Sequence, residues 1–351
     1  MNDSASLFGI EEEFFIGTLQ NNNASPSLGQ MEHLFAHLAS KPNWTQLAKP
    51  LTGCVWKMAH GNVGVWNDFS TNIIEIAYPV LNHPHQFANL REQVLSKLKD
   101  ALEVVELCLL PGTVRFLTPE QVVLRPAPNA QYEDRLEEDL NRCDNGLRHF
   151  NPVFYANICA TQVSLDMTEV DWQKYIHALY EFEHLTPLLF SKPMTVSDST
   201  KHCLRHLVIK DNWPNDPYVG YPRNIDNLIE AVKLIPPPRT AKYAYCAFRK
   251  PRRVEFRSCD RLDTAEEILS MVCFRWLVVE AVKRYGRSGT EAMYCQLFEA
   301  ACADGSVDQA VVHAQRDKLE SCWNSVQKSQ SSWQVYAESL FAQLVRLEEG
   351  N

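Results

Sequence analysis

The sequence predicts an α+β fold organised as a single domain, and three observations carry that expectation. Short strand-like runs crowd the first 80 residues and are joined by tight, polar turns. Strands and helices then fail to alternate with the regularity that a parallel βαβ sheet requires. From 264 to 347 the pattern is essentially all helix, broken only near Gly286 to Gly289 and at Gly305. No Pro-, Gly- or Ser-rich linker divides the 351 residues, so the domain is expected to span 1–351 with a helical C-terminal portion from about 264.

Composition excludes several classes. A formal net charge of −9 argues against a general binder of nucleic acid or anionic membrane. No run approaches the roughly 18 apolar residues of a membrane span. The N-terminus lacks a basic region followed by an apolar stretch, so no signal peptide is expected. Eleven cysteines, an odd number without a CxxC pair, read as free thiols in a reducing cytoplasm. Cys295 and Cys302, the one close pair, fall in a helical region and read as packing residues.

The chain is organised around Gly9-Ile10-Glu11-Glu12-Glu13-Phe14-Phe15-Ile16-Gly17. Apolar residues bracket the acids and a glycine closes each end, which reads as a strand. Alternation puts Glu11 and Glu13 on one face and Glu12 on the other. Two carboxylates one strand repeat apart repel unless a positive charge lies between them, and a divalent cation with oxygen preference fits. A solvated acidic edge strand is the other reading of the same pattern.

After it, a helix is expected over 31–47 and short strands over 55–57, 63–66 and 72–78. The last strand hides Glu75 in an apolar run, where burial without a partner costs several kcal/mol. Glu75 therefore faces either water or a cation shared with Glu11 and Glu13. A long amphipathic helix is expected over 85–109, ended by Pro111-Gly112. A proline-bearing connector over 122–128 and a polar helix over 131–143 follow it. A strand over 153–166 then places Ala160, Gln162 and Ser164 on one face, where Gln162 has room for a ligand or points to solvent. Thr168 is set to cap the helix after it.

The least regular stretch, 192–238, has the length of a functional loop or lid. It holds His202 and His206 at a spacing that metal pairs share with many surface histidines, and Arg205 between them. A hairpin is expected over 243–258. There Glu255 and Arg257 share a face, as a plain ion pair or as a metal ligand beside a phosphate-neutralising guanidinium.

In order, then, the chain carries E-x-E on its first strand, Glu on an early strand, Gln on a middle strand and E-x-R on a late one. That order resembles the glutamate–cysteine ligases and related carboxylate–amine ligases of the glutamine synthetase superfamily. The segment at Gly9 to Phe15 resembles their opening G-[VIT]-E-x-E-x-F strand. Ile74-Glu75-Ile76-Ala77-Tyr78-Pro79-Val80-Leu81 resembles F-E-L-S-G-A-P-L, and Cys159 to Asp166 resembles C-T-x-Q-V-N-L-D. Val254-Glu255-Phe256-Arg257 with Asp260 resembles L-E-F-R-x-x-D. The family's substrate-choosing segment is only faintly matched, by Phe190-Ser191-Lys192-Pro193 and by His202-Cys203-Leu204-Arg205. This departure bears on whether glutamate and cysteine are the substrates.

The resemblance implies a curved, mostly antiparallel sheet with catalytic acids on its concave face and helices outside. It also implies ATP as phosphoryl donor and Mg2+ or Mn2+ held by Glu11, Glu13, Glu75, Gln162 and Glu255. Arg257 and Arg205 would act on the moving γ-phosphoryl, with Gln162, Glu255 and Arg257 toward the nucleotide. Its substrates would be small amino acids and amines, in a protein that is a possible homo-oligomer. Two other readings remain: a relative that binds ligand without turnover, and a metal-dependent hydrolase that needs no ATP.

Overall fold

A computed structural model describes residues 7–20, 24–48, 56–68, 70–124, 141–147, 149, 154–167, 169–196, 199–234, 241, 244–249 and 253–350. The N-terminal part comprises β1 (Phe8–Thr18), α1 (Leu28–Ala39), β2 (Trp44–Ala48), β3 (Lys57–His60), β4 (Val63–Asn67), β5 (Ile73–Ala77), α2 (Pro84–Val104) and β6 (Leu107–Leu110). The middle holds β7 (Thr161–Asp166), α3 (Glu169–Glu181), α4 (Leu185–Phe190), β8 (Met194–Val196), β9 (Ser199–Lys201), α5 (Leu204–Asn212), α6 (Ile225–Lys233), β10 (Cys246–Arg249) and β11 (Arg253–Phe256). Four helices close the chain: α7 (Ala265–Tyr285), α8 (Glu291–Asp304), α9 (Gln309–Val326) and α10 (Gln334–Glu349).

Among the described residues, nine strands form one sheet in the order β10-β11-β7-β1-β5-β4-β3-β2, with β6 also on β1. Every pairing is antiparallel. The long β1 is the axis: β5 runs along one side, while β7 and then β6 share the other. Register fixes the faces, because residues opposite one another in an antiparallel pair point the same way. Glu13 stands opposite Glu75, and Glu11 opposite both Ala77 and Gln162. Ser164 stands opposite both Gly9 and Glu255. One face therefore carries the acids among small residues.

The reverse face carries Ile10, Phe14, Ile74, Ile76, Val163 and Leu165, all in the main core with Phe87, Val94 and Leu98 of α2 and Met271, Phe274 and Val278 of α7. The C-terminal helices join the same core, and Trp333 meets Phe8 edge-on with ring centroids 5.5 Å apart. Glu12 puts a charge on this apolar face, opposite Thr161. It is fully buried, and Arg91 of α2 answers it through Nε at 3.0 Å and Nη2 at 2.9 Å, while Tyr78 Oη donates at 2.9 Å.

Local chemistry sets the boundaries. A capping box of Ser27 and Gln30 starts α1, and one of Thr264 and Glu267 starts α7. Several expected boundaries are corrected. The helix foreseen over 31–47 stops at Ala39, because Trp44–Ala48 pairs with β3 as a strand. The helix foreseen to 109 stops at Val104: Glu106 turns to φ 58°, and Leu107–Leu110 pairs with β1. Helical and strand readings of that apolar run were indistinguishable by period.

The strand expected from 153 begins only at Thr161, after a short 3-10 turn at Phe154–Asn157. The stretch from 192 is more regular than expected, holding β8, β9, α5 and α6. Residues 131–140 of the expected polar helix, the proline connector beyond 124, the cap at Thr168 and the hairpin tip at 250–252 lie outside the described residues. Every described cysteine is a free thiol. No helix among the described residues is long and apolar enough to cross a membrane.

Candidate active site

The acid face of the sheet forms the floor of a cavity of about 190 Å3, lined by Glu11, Glu13, Asp68, Glu75, Gln162, Arg205 and Arg257 with an apolar wall opposite. Six of the seven site residues expected from sequence thus converge. Glu255 does not line the cavity. Its Oε1 accepts from Arg257 Nη1 at 2.6 Å, and its Oε2 lies 3.7 Å from Arg253 Nη2. At this residue the ion-pair reading is the one the geometry displays.

Glu13 is the most heavily held of the acids. Its Oε2 accepts from the Ala160 backbone N–H at 2.8 Å and its Oε1 from Gln162 Nε2 at 3.1 Å. Withdrawal from solvent, reinforced by Asp68, nevertheless pushes its pKa up to about 7, against the opposing pull of Arg205 and Arg257. Glu75 is raised well above the carboxylate range, first by burial and then by Asp68, Glu11 and Glu13. Trp66 Nε1 donates to its Oε2 at 2.8 Å, and register explains the meeting, since Trp66 is opposite Glu75. The indole lies over Gly64, where a Cβ would come within 2.7 Å of the ring.

The two arginines are linked. Arg205 Nη1 donates to the Arg257 carbonyl at 2.6 Å, so the Arg205 side chain is placed by the Arg257 backbone. Arg205 sits at the start of α5, where Cys203 takes φ 23° and provides no side-chain cap. Asp260 supplies one from another segment, its Oδ1 accepting from the Arg205 N–H at 3.2 Å. The far side of α5 is fixed by His206, buried against Phe298 and bonded through Nδ1 to Tyr245 Oη, with Glu299 3.4 Å from Nε2. His202 packs over Gly305 instead. The two histidines face packing partners and are not brought together as a pair of metal ligands.

Four carboxylates and an amide offer a hard-oxygen donor set. Gln162 is 4 % exposed and its Oε1 has no hydrogen-bond partner among the described residues, which leaves that oxygen available to a cation. No three His, Cys, Asp or Glu side chains among the described residues converge into a finished metal cage. Magnesium does not require one, since it is commonly held by one or two carboxylates together with waters and substrate phosphates.

Sequence reading missed Asp68 and Trp66. Both follow from the β4–β5 register, which sets Trp66 against Glu75 and delivers Asp68 just beyond the strand end. A hairpin alignment of 63–67 with 73–77 was the available signal.

A sheet with one acid-lined face, backed by helices and closed by a pair of arginines, is the class of architecture these observations define. Solved structures share this fold along nearly the whole chain. The bifunctional glutathione synthetase of Pasteurella multocida matches 97% of this chain and 47% of its own, with a TM-score of 0.60 and 12% identity. Glutamate–cysteine ligase from Francisella tularensis, in complex with AMP, matches 96% and 82% at a TM-score of 0.56 and 10% identity. The ligase PafA, in complex with the prokaryotic ubiquitin-like protein Pup, matches 99% and 64% at 0.54 and 11%. The chain thus spans about half of the glutathione synthetase and under two thirds of PafA. At these identities the likeness is one of fold. The sequence matches no established family profile and no curated protein.

Proposed function

We propose that this chain is an ATP-dependent carboxylate–amine ligase, activating glutamate or a similar amino acid as an acyl phosphate and passing it to an amine. One observation carries the reading: on the acid face of a ligase-type sheet, three carboxylates and an unpartnered amide oxygen face two guanidiniums across one cavity. In this reading the acid face is the concave side of the sheet.

Amide formation in water is uphill, so the donor carboxylate must first be activated, and phosphoryl transfer asks mainly for position and charge neutralisation. Glu11, Glu13, Glu75 and Gln162 Oε1 would hold Mg2+ or Mn2+, with Asp68 as a further oxygen and Glu255 bearing on the site through Arg257. Bound there, the metal would supply charge neutralisation on the phosphates. Arg257 and Arg205 are placed to attract the donor carboxylate and the γ-phosphoryl and to keep them together. The donor carboxylate oxygen would form its bond to the γ-phosphorus as the O–P bond to ADP breaks. The amine then forms its C–N bond at the acyl carbon, the acyl C–O bond to the phosphate group breaks, phosphate leaves with that bonding pair, and the nitrogen loses one proton. No serine or cysteine nucleophile is required. The cavity is smaller than the roughly 300–1,000 Å3 of a whole-ligand pocket, so it suits the reacting ends of the substrates and leaves the nucleoside outside.

The deciding measurement is phosphate release from MgATP against amino acids supplied singly and in pairs, with the amide identified by mass. Release that depends on a donor acid plus an amine, and that vanishes in Glu13→Gln and Arg257→Ala, supports the assignment. Full activity in both variants overturns it.

A further inference from the structure

The cavity has a second face that metal and phosphate do not use. Opposite the carboxylates stand Phe154, Tyr155 and Ile158 from the turn before β7, and Ile209, Trp213 and Val219 from α5 and the segment after it. Phe154, Ile158, Ile209 and Trp213 form a hydrophobic cluster of their own, separate from the main core. Apolar surface left bordering a water-accessible cavity forgoes about 25 cal/mol for every Å2 it could bury, and a ligand is what would bury it.

We infer that this wall is the acceptor subsite, and that the acceptor is an amine bearing an apolar group. The inference rests on the ligase reading and deepens it. Three features argue for this occupant. The described lining residues place four carboxylates against two guanidiniums, a balance that draws an ammonium group. In the ligase reading both guanidiniums are taken up by the donor carboxylate and the γ-phosphoryl, and no other described lining residue is cationic to receive an acceptor's carboxylate. The apolar residues of the wall include two aromatic rings, Phe154 and Trp213, which suit an apolar side chain.

Adenine is the competing occupant. It is separated from the reacting phosphorus by ribose and two further phosphates, so base and reaction centre do not fit together in one cavity of this size. The acceptor differs in that its nitrogen must touch the acyl carbon while its side chain occupies the adjoining wall.

The test uses MgATP and glutamate with four acceptor probes: phenethylamine, ethanolamine, L-cysteine and hydroxylamine. Hydroxylamine traps an acyl phosphate as the hydroxamate without needing a side-chain subsite, so it reports on the ligase reading alone. The expected result is kcat/KM for phenethylamine at least about tenfold above ethanolamine and L-cysteine, the range that apolar contacts of this size command. In Val219→Phe, which narrows the wall at a half-buried position, the phenethylamine-to-hydroxylamine ratio of kcat/KM should fall by about the same factor. Hydroxamate formation with no preference for phenethylamine overturns the inference and leaves the ligase reading standing. Absence of hydroxamate overturns the ligase reading. Calorimetry of phenethylamine against ethanolamine on the same protein then decides the subsite separately, and equal binding of the two overturns it.

Discussion

Glu13 of β1 and Glu75 of β5 stand directly opposite one another on the acid face of the sheet. Their environment disfavours the charged form of both. Glu13 is drawn up to about 7, and Glu75 is raised well above the usual range by burial and by its acidic neighbours. Such an arrangement stores repulsion that a divalent cation would relieve, and stability should report it.

For Glu13 the folded pKa of about 7 exceeds the unstructured value of 4.5. Between those two pH values the folded chain holds a proton that the unfolded chain has released, so stability falls as pH rises through the window. The full shift corresponds to at most about 3 kcal/mol. In chelator, the melting temperature should drop between pH 5 and pH 8, and Mg2+ or Mn2+ should restore it at pH 8. A flat profile in chelator would remove the repulsion argument.

Glu75→Gln keeps a similar shape and removes a carboxyl that on folding must either take up a proton or carry a repelled charge. In chelator at pH 8 it should raise the melting temperature by about 2–4 °C, while ATP turnover falls at least about a hundredfold. Metal should then stabilise the variant less than the native chain. Equal metal-induced shifts in both proteins would take Glu75 out of the ligand set.

Much of the site was legible because strands alternate: Glu11, Glu13, Glu75, Gln162 and Arg257 declared themselves by spacing on or beside apolar strands, whereas Arg205, on α5, was reached only through the family resemblance. What sequence did not disclose depends on pairing between strands or on distant helices. Asp68 and Trp66 enter through the β4–β5 register, and Arg91 reaches Glu12 from 79 residues away. Glu106 in a left-handed conformation turned an expected helix end into β6, a switch that hydrophobic period cannot signal. The helical C-terminal part was readable at its first two breaks, because caps such as Thr264 with Glu267 and Gly305 in the left-handed region are written locally, whereas the break between Val326 and Gln334 carries no glycine or proline and was missed.

Arg91 supports the acid strand from behind. Arg91→Leu leaves the Glu12 carboxylate buried without its cation, which should cost about 3–5 kcal/mol in denaturant unfolding. The double variant Glu12→Leu/Arg91→Leu removes both charges and should regain most of that loss. Single and double variants of equal stability would show that the pair is not coupled.

Asp260 tests whether the placement of Arg205 matters beyond its charge. Its carboxylate accepts from the Arg205 N–H at 3.2 Å, at a helix start whose own first residue, Cys203, offers no cap. Burial raises Asp260 to about 6, yet either protonation state retains an oxygen able to accept that bond. Asp260→Ala should therefore lower kcat about tenfold or more through misplacement of Arg205, with a stability loss near the ~1 kcal/mol of an ordinary cap. Asp260→Asn keeps an acceptor oxygen and should recover most of kcat. If Asp260→Asn is as slow as Asp260→Ala, the carboxylate acts through its charge and the capping account fails. If neither variant changes kcat, Arg205 does not need its helix start held.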